Sequence, residues 1–214
     1  MQSHDRVVVL VEGESDVAAL TQLPGVRDHG TAEVVEIRAM GGATNVRQQL
    51  DRAVREDGVR RILGLCDVAE ARFYQRALAD QGFTADSPSG LAAYGFHCCV
   101  VDLEDELIRA LGPDGALAVL ADLGLMRRFG TFRTQPFWRD QGLHAQLKRF
   151  AGTTSGRKAT FARALTRALP PDRLPGPLAR LIDQIGRAVR ERTRGPLARF
   201  DGADAPYKPT AQQT

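Results

Sequence analysis

The feature that most constrains this chain is Arg6-Val-Val-Val-Leu-Val11, a short aliphatic run that stops abruptly at Glu12-Gly13. Its apolar residues follow one another without alternation, so no polar face is left for water. Such a segment reads as a strand covered on both sides, the situation in a parallel sheet with helices above and below. The pattern then repeats. Glu33–Arg38 reads as a second strand, Arg60-Arg-Ile-Leu-Gly-Leu-Cys66 as a third ending at Asp67, and Tyr94–Val101 as a fourth ending at Asp102. Helical spacing fills the intervals: Asp16 to about Leu23, capped by Ser15 and stopped by Pro24; 45–56, after Gly41-Gly42; and 69–81. A further helix follows Asp102 as far as Leu111. This alternation predicts an α/β fold, an open and mostly parallel sheet flanked by helices with right-handed crossovers.

Beyond Gly112-Pro113 the pattern becomes helical, with segments expected over 114–123, 142–150, 157–169 and 177–193. In the last of these, Leu178, Leu181, Ile182, Ile185 and Val189 share one face, with Arg180, Arg187 and Arg190 outside it. Charge changes at the same place. Residues 1–125 hold 11 basic and 20 acidic side chains, whereas 126–200 hold 17 and 4. The expected organisation is therefore a strand-and-helix part over 1–125, a basic helical subdomain over 126–197, and a disordered tail over 198–214. An acidic half suits cations and a basic half suits polyanions. Lys148, Arg149, Arg157, Arg163 and Arg167 fall on predicted helices or their starts, and Arg163 and Arg167 share a face at i, i+4 spacing. Contacts of this kind to DNA phosphates give affinity without reading sequence. Phe132, Phe137 and Trp138 can stack on exposed bases or pack the junction between the halves, and packing is the commoner use.

Three strand ends carry acids: Glu12, Asp67, and Asp102 with Glu104. In an open parallel sheet ligands bind outside the carboxyl ends of the strands, so acids far apart in sequence can converge there. Each segment alone can equally be a helix cap, since an acidic first turn satisfies free N–H groups and the helix dipole. Together they point to a shared cation, because crowded carboxylates resist ionisation unless a divalent ion offsets their charge. Oxygen ligands select Mg²⁺ or Mn²⁺, and the four histidines (4, 29, 97 and 144) lack metal spacing, His97 reading as core. Cys66, Cys98 and Cys99 form neither a zinc pattern nor a disulfide framework, which indicates small buried side chains in a reducing cytoplasm. No run is long enough for a membrane helix, and the N-terminus does not read as a signal peptide. Gly152–Lys158 is not a P-loop: only three residues separate its glycines and Ala159 follows the lysine, so no ATP site is expected.

Four segments in order carry a resemblance. Val9-Leu-Val-Glu12-Gly13-Glu-Ser-Asp16 resembles the first motif of TOPRIM domains, and Leu63-Gly-Leu-Cys-Asp67-Val-Ala-Glu70 stands where that family has its second acidic motif. Asp102-Leu-Glu104-Asp-Glu106 resembles the acidic segment of the OLD (overcoming lysogenization defect) endonucleases, and Gly152-Thr-Thr-Ser-Gly-Arg157-Lys158 their lysine-bearing glycine-rich stretch. The likeness spans roughly residues 6–190 and is greatest to forms in which the TOPRIM part stands without its ATPase. It implies phosphodiester hydrolysis assisted by one or two metals, about 4 Å apart when two are present. Glu12 and Asp67 would be primary ligands, with Asp16, Glu70, Asp102 and Glu104 completing the shells, and Lys158 would offset charge on the reacting phosphate. Position 69 departs from the usual Asp-x-Asp motif because it is alanine, which makes Glu70 the candidate replacement. The expected function is a metal-dependent DNA endonuclease or nicking enzyme, able to form homo-oligomers. The alternative is a catalytically weak TOPRIM subunit that binds DNA or a separate ATPase. Primases and topoisomerases need parts this chain does not show.

Overall fold

Four parallel strands form the sheet of the computed structural model, which describes residues 5–27, 33–152, 156–191 and 200. In chain order they are β1 (Arg6–Val11), β2 (Val35–Ala39), β3 (Val59–Asp67) and β4 (Phe96–Cys99). Across the sheet the order is β2-β1-β3-β4. From β1 the chain moves one way to β2, then crosses back to place β3 on the other side. That reversal is the switch point at which open α/β sheets bind ligands. Glu12 follows one of the two flanking strands and Asp67 ends the other.

The aliphatic run does what its composition requires. Val7, Val9 and Val11 face one apolar cluster, while Val8 and Leu10 face a second on the opposite side. The second cluster is closed by α3 (Val46–Arg55) and α4 (Ala71–Asp80). The first and larger one is closed by α1 (Glu14–Leu20), α5 (Leu103–Asp122), α6 (Met126–Arg133), α7 (Leu143–Ala151), α8 (Arg157–Ala168) and α9 (Gly176–Glu191). It unites residues from Val7 to Ala188, so the change of charge at residue 125 is not matched by a gap in the core. β3 and β4 pair closely at Gly64, which stands opposite Phe96. A Cβ there would stand 2.6 Å from the Phe96 ring and 2.9 Å from the Leu10 carbonyl oxygen.

Several local expectations change. Ser15 is buried and caps nothing: Gly13 takes the N-cap position, and the Asp16 carboxylate accepts its N–H at 2.9 Å. α1 ends at Leu20, and Pro24 opens the short helix α2 (Pro24–Arg27) instead of ending one, since proline at a first helical position sacrifices no hydrogen bond. β4 covers only Phe96–Cys99, and Val100 and Val101 leave the sheet exposed. α6 is a helix that periodicity does not announce, because Phe129 and Phe132 are its only buried residues. The break expected at Gly112-Pro113 is present, with Gly112 at φ 77° inside α5. His97 lies in the core, its Nε2 2.7 Å from Gln184 Oε1, and Cys66 and Cys99 are buried. Thr153–Ser155 and, apart from Phe200, the expected tail lie outside the described residues; Phe200 itself is buried against Phe83. No helix among the described residues is long and apolar enough to cross a membrane.

Candidate metal centre

The end of β1 is held by the loop that follows β2. The Val11 carbonyl accepts from Met40 N–H at 2.9 Å and the Glu12 carbonyl accepts from Gly42 N–H at 3.0 Å. Gly41 and Gly42 have φ of 73° and 119°, which an L side chain rarely adopts, so glycine here is what lets the loop close on Glu12. Asp67 ends β3, and one turn of 3₁₀ helix, Val68–Glu70, brings Glu70 back toward it. Carboxylate oxygens of Glu12, Asp67 and Glu70 come within 4.8 Å of one another. Ala69 is exposed, and Glu70, the next residue, is the one that brings a carboxylate into this group.

A narrow cleft joins this cluster to the others, lined by Glu12, Asp16, Asp67, Asp102, Glu104 and Lys158. The acids of the 102–106 segment divide their work. Asp102 Oδ1 caps α5 by accepting Asp105 N–H at 2.8 Å, and its Oδ2 pairs with Lys148 Nζ at 3.1 Å. Asp105 accepts from Arg109 and lies 2.7 Å from His144 Nε2, while Glu106 accepts from Val100 N–H at 3.0 Å. Asp102 and Glu104 both line the cleft, and of the two it is Glu104 that is committed to neither a helix cap nor a backbone donor. It is 2% exposed, neither carboxylate oxygen has a well-formed hydrogen bond, and the Lys158 ammonium stands 3.4 Å from one of them. Glu70 Oε2 is likewise buried without one. Buried carboxylate oxygens are costly to leave unsatisfied, and a hard cation is the ligand such oxygens fit.

The electrostatics show the same crowding. Burial, followed by the charges of Glu12, Asp102 and Glu70, pushes the Asp67 carboxyl up to about 8. Burial also raises Asp16 to about 6, the Gly13 hydrogen bond working against it and Glu104 with it. Glu70 and Glu104 are raised too, first by burial, then in Glu70 by Glu12, while Lys158 opposes the shift of Glu104. For Lys158, burial disfavours the ammonium but Glu104 and Asp16 outweigh it, so its pKa rises and it stays charged.

Five basic residues expected to face DNA are spread over α7 and α8. Lys148 is tied to Asp102 at the rim of the cleft, and Arg149 is exposed beside it. Arg157 lies over the Phe150 ring at 4.4 Å and donates to the Phe150 carbonyl. Arg163 is exposed, and Arg167 donates to Gln22 Oε1 at 2.7 Å. The pairing of α7 with α5 went unread in the sequence, although a signal existed. His144 and Lys148 stand four apart on α7 and meet Asp105 and Asp102, three apart on α5.

No protein-family model matches the sequence, and no curated protein does. Solved structures do match in three dimensions. One is the C-terminal region of the OLD protein of Xanthomonas campestris pv. campestris, 20% identical, with a TM-score of 0.63 over 89% of this chain and 96% of that one. Another is the C-terminal region of the Burkholderia pseudomallei OLD protein, 17% identical, TM-score 0.61, over 86% and 98%. The chain has the OLD C-terminal fold. At this identity the OLD likeness establishes architecture, a TOPRIM-like parallel sheet flanked by helices, and the chemistry must be argued from the cleft.

Proposed function

We propose that this chain is a divalent-metal-dependent DNA endonuclease or nicking enzyme that hydrolyses phosphodiester bonds. One observation carries the reading: carboxylates from β1, β3 and α5 converge at the switch point of the sheet with buried oxygens unsatisfied, and a lysine from the basic half faces them. Glu12, Asp67 and Glu70 would hold Mg²⁺ or Mn²⁺, with Asp16, Asp102 and Glu104 available for a second ion. A cation held there would activate water and offset charge on the phosphate. The chain's own groups do the rest. Asp16 fixes the Gly13 turn and thereby the direction of Glu12. Lys158 stays protonated and offsets the charge that builds on the reacting phosphate. Basic side chains of α7 and α8, Lys148, Arg149, Arg157, Arg163 and Arg167 among them, would hold the DNA backbone.

Work alongside an ATPase, in the cytoplasm, belongs to the same proposal. Alanine at position 69 favours a second reading, a subunit that binds DNA yet cuts it weakly. Cleavage of supercoiled plasmid separates the two. Nicking with Mn²⁺ or Mg²⁺ that disappears with chelator, with Glu12→Ala and with Lys158→Ala supports the nuclease. Intact plasmid that still shifts on a gel supports the binding subunit.

A further inference from the structure

Beside the carboxylate cleft lies a second, larger hollow of about 330 Å³ that shares Asp102, Glu104 and Lys158 with it. That volume is at the small end of the range in which ligand sites occur. Its other lining residues differ in kind from those of the cleft: Trp138, Ala145, Ala151 and Gly152, together with the basic Lys148 and Arg149. Trp138 is held firmly. Its ring lies 5.2 Å from Phe132 at 29° and meets Phe137 edge-on at 4.9 Å. Its carbonyl accepts from Gln146 Nε2 at 2.6 Å, and Gln146 Oε1 in turn accepts from Arg133 at 2.7 Å. Phe132 is buried in the core, whereas Phe137 is 68% exposed, so the aromatic group runs from the core to the surface at this edge.

A phosphate alone would need the cations but no aromatic wall, and an aliphatic ligand would need the wall but no cations. A planar heterocycle carried on a phosphodiester uses both. We infer that this hollow holds a nucleobase next to the phosphate seated in the carboxylate cleft, with Trp138 as its stacking partner. The inference rests on the nuclease reading and narrows its substrate. Stacking on an aromatic side chain is worth roughly a five- to 150-fold gain in affinity per base, about what is lost by pulling one base out of a duplex. A strand whose base is already unstacked keeps the whole gain. Single-stranded or frayed DNA is therefore the preferred ligand over an intact duplex.

Trp138 is the only tryptophan in the chain, so its emission reports on the hollow directly. The protein is titrated in Ca²⁺ with oligothymidylate, with an oligomer of equal length made of abasic sites, and with a blunt duplex, while DNA binding is followed separately by anisotropy. Oligothymidylate is expected to change the emission and to bind roughly ten-fold tighter than the abasic strand, an advantage that Trp138→Ala removes and Trp138→Phe largely retains. The duplex is expected to leave the emission unaltered. Equal binding of the two strands by the wild type with unchanged emission overturns the base site while leaving the nuclease reading intact. A duplex that alters the emission as strongly overturns the preference for single strands. Failure of every DNA to bind overturns both readings.

Discussion

Crowding in the cleft has a measurable consequence: without metal, this protein should lose stability as pH rises, and Asp67→Asn should restore part of it. The Asp67 carboxyl is pushed up to about 8 from an ordinary 3.8. Between those values the folded protein keeps a proton that the unfolded chain has released, so stability declines with rising pH across that window and levels off above it. At about 1.4 kcal/mol per unit, the shift sets an upper bound of ~6 kcal/mol. Glu12, Glu70, Asp102 and Asp16 contribute to the same field, and Asp67 is only partly buried, so asparagine should recover about 2 kcal/mol. For a chain of this length that is roughly 4–8 °C in Tm. Melting curves in chelator at about pH 5 and about pH 8.5 test it. The wild type should melt lower at the higher pH, the variant should exceed it there, and Mn²⁺ should raise the wild type far more than the variant, which should no longer nick plasmid. A wild type equally stable at both pH values, or a variant that melts below it at the higher one, would refute the argument that burial and the neighbouring acids hold a proton on Asp67.

Three further outcomes are expected. Glu70→Gln should raise the Mn²⁺ concentration for half-saturation, measured by calorimetry, by about ten-fold or more; an unchanged affinity would remove Glu70 from the ion. Gly64→Ala should cost about 2 kcal/mol in urea denaturation, because its Cβ would collide with the Phe96 ring and with backbone; wild-type stability would show that β3 and β4 can separate. Arg163→Ala should weaken DNA binding evenly across sequences and lower the slope of log K against log salt by about one, and an unchanged slope would take Arg163 out of the interface.

The sheet and its acids could be read from sequence because both depend on short-range facts. An aliphatic run bounded by Glu12-Gly13 has few structural solutions, and a carboxylate that follows a parallel strand must emerge at the ligand-binding edge. Glu70 entered through the likeness of its segment to the second TOPRIM motif, and the structure brings its carboxylate near those of Glu12 and Asp67. Ser15 was misread because Asp16, one residue on, reaches the Gly13 N–H instead, a choice between neighbours that composition does not settle. α6 escaped notice because a helix that buries only two phenylalanines carries little periodicity. Least legible were the distant pairings, Lys158 with Glu104 and Lys148 with Asp102, which depend on how α7 and α8 lie across α5.

The larger apolar cluster, shared by one face of the sheet and the helices of the basic half, bears on how such a protein can diverge. Positions that point inward on α7, α8 and α9, such as Leu147, Leu165 and Leu181, belong to the same seam as Val7 and Val9. They are expected to open together as one cooperative unit, visible as a shared hydrogen-exchange rate. Exposed arginines on those helices, such as Arg149 and Arg163, lie outside that seam. Their number and spacing can drift, retuning grip on a polyanion, while the seam stays fixed; a chimera that exchanged whole helices would have to inherit both sides of it.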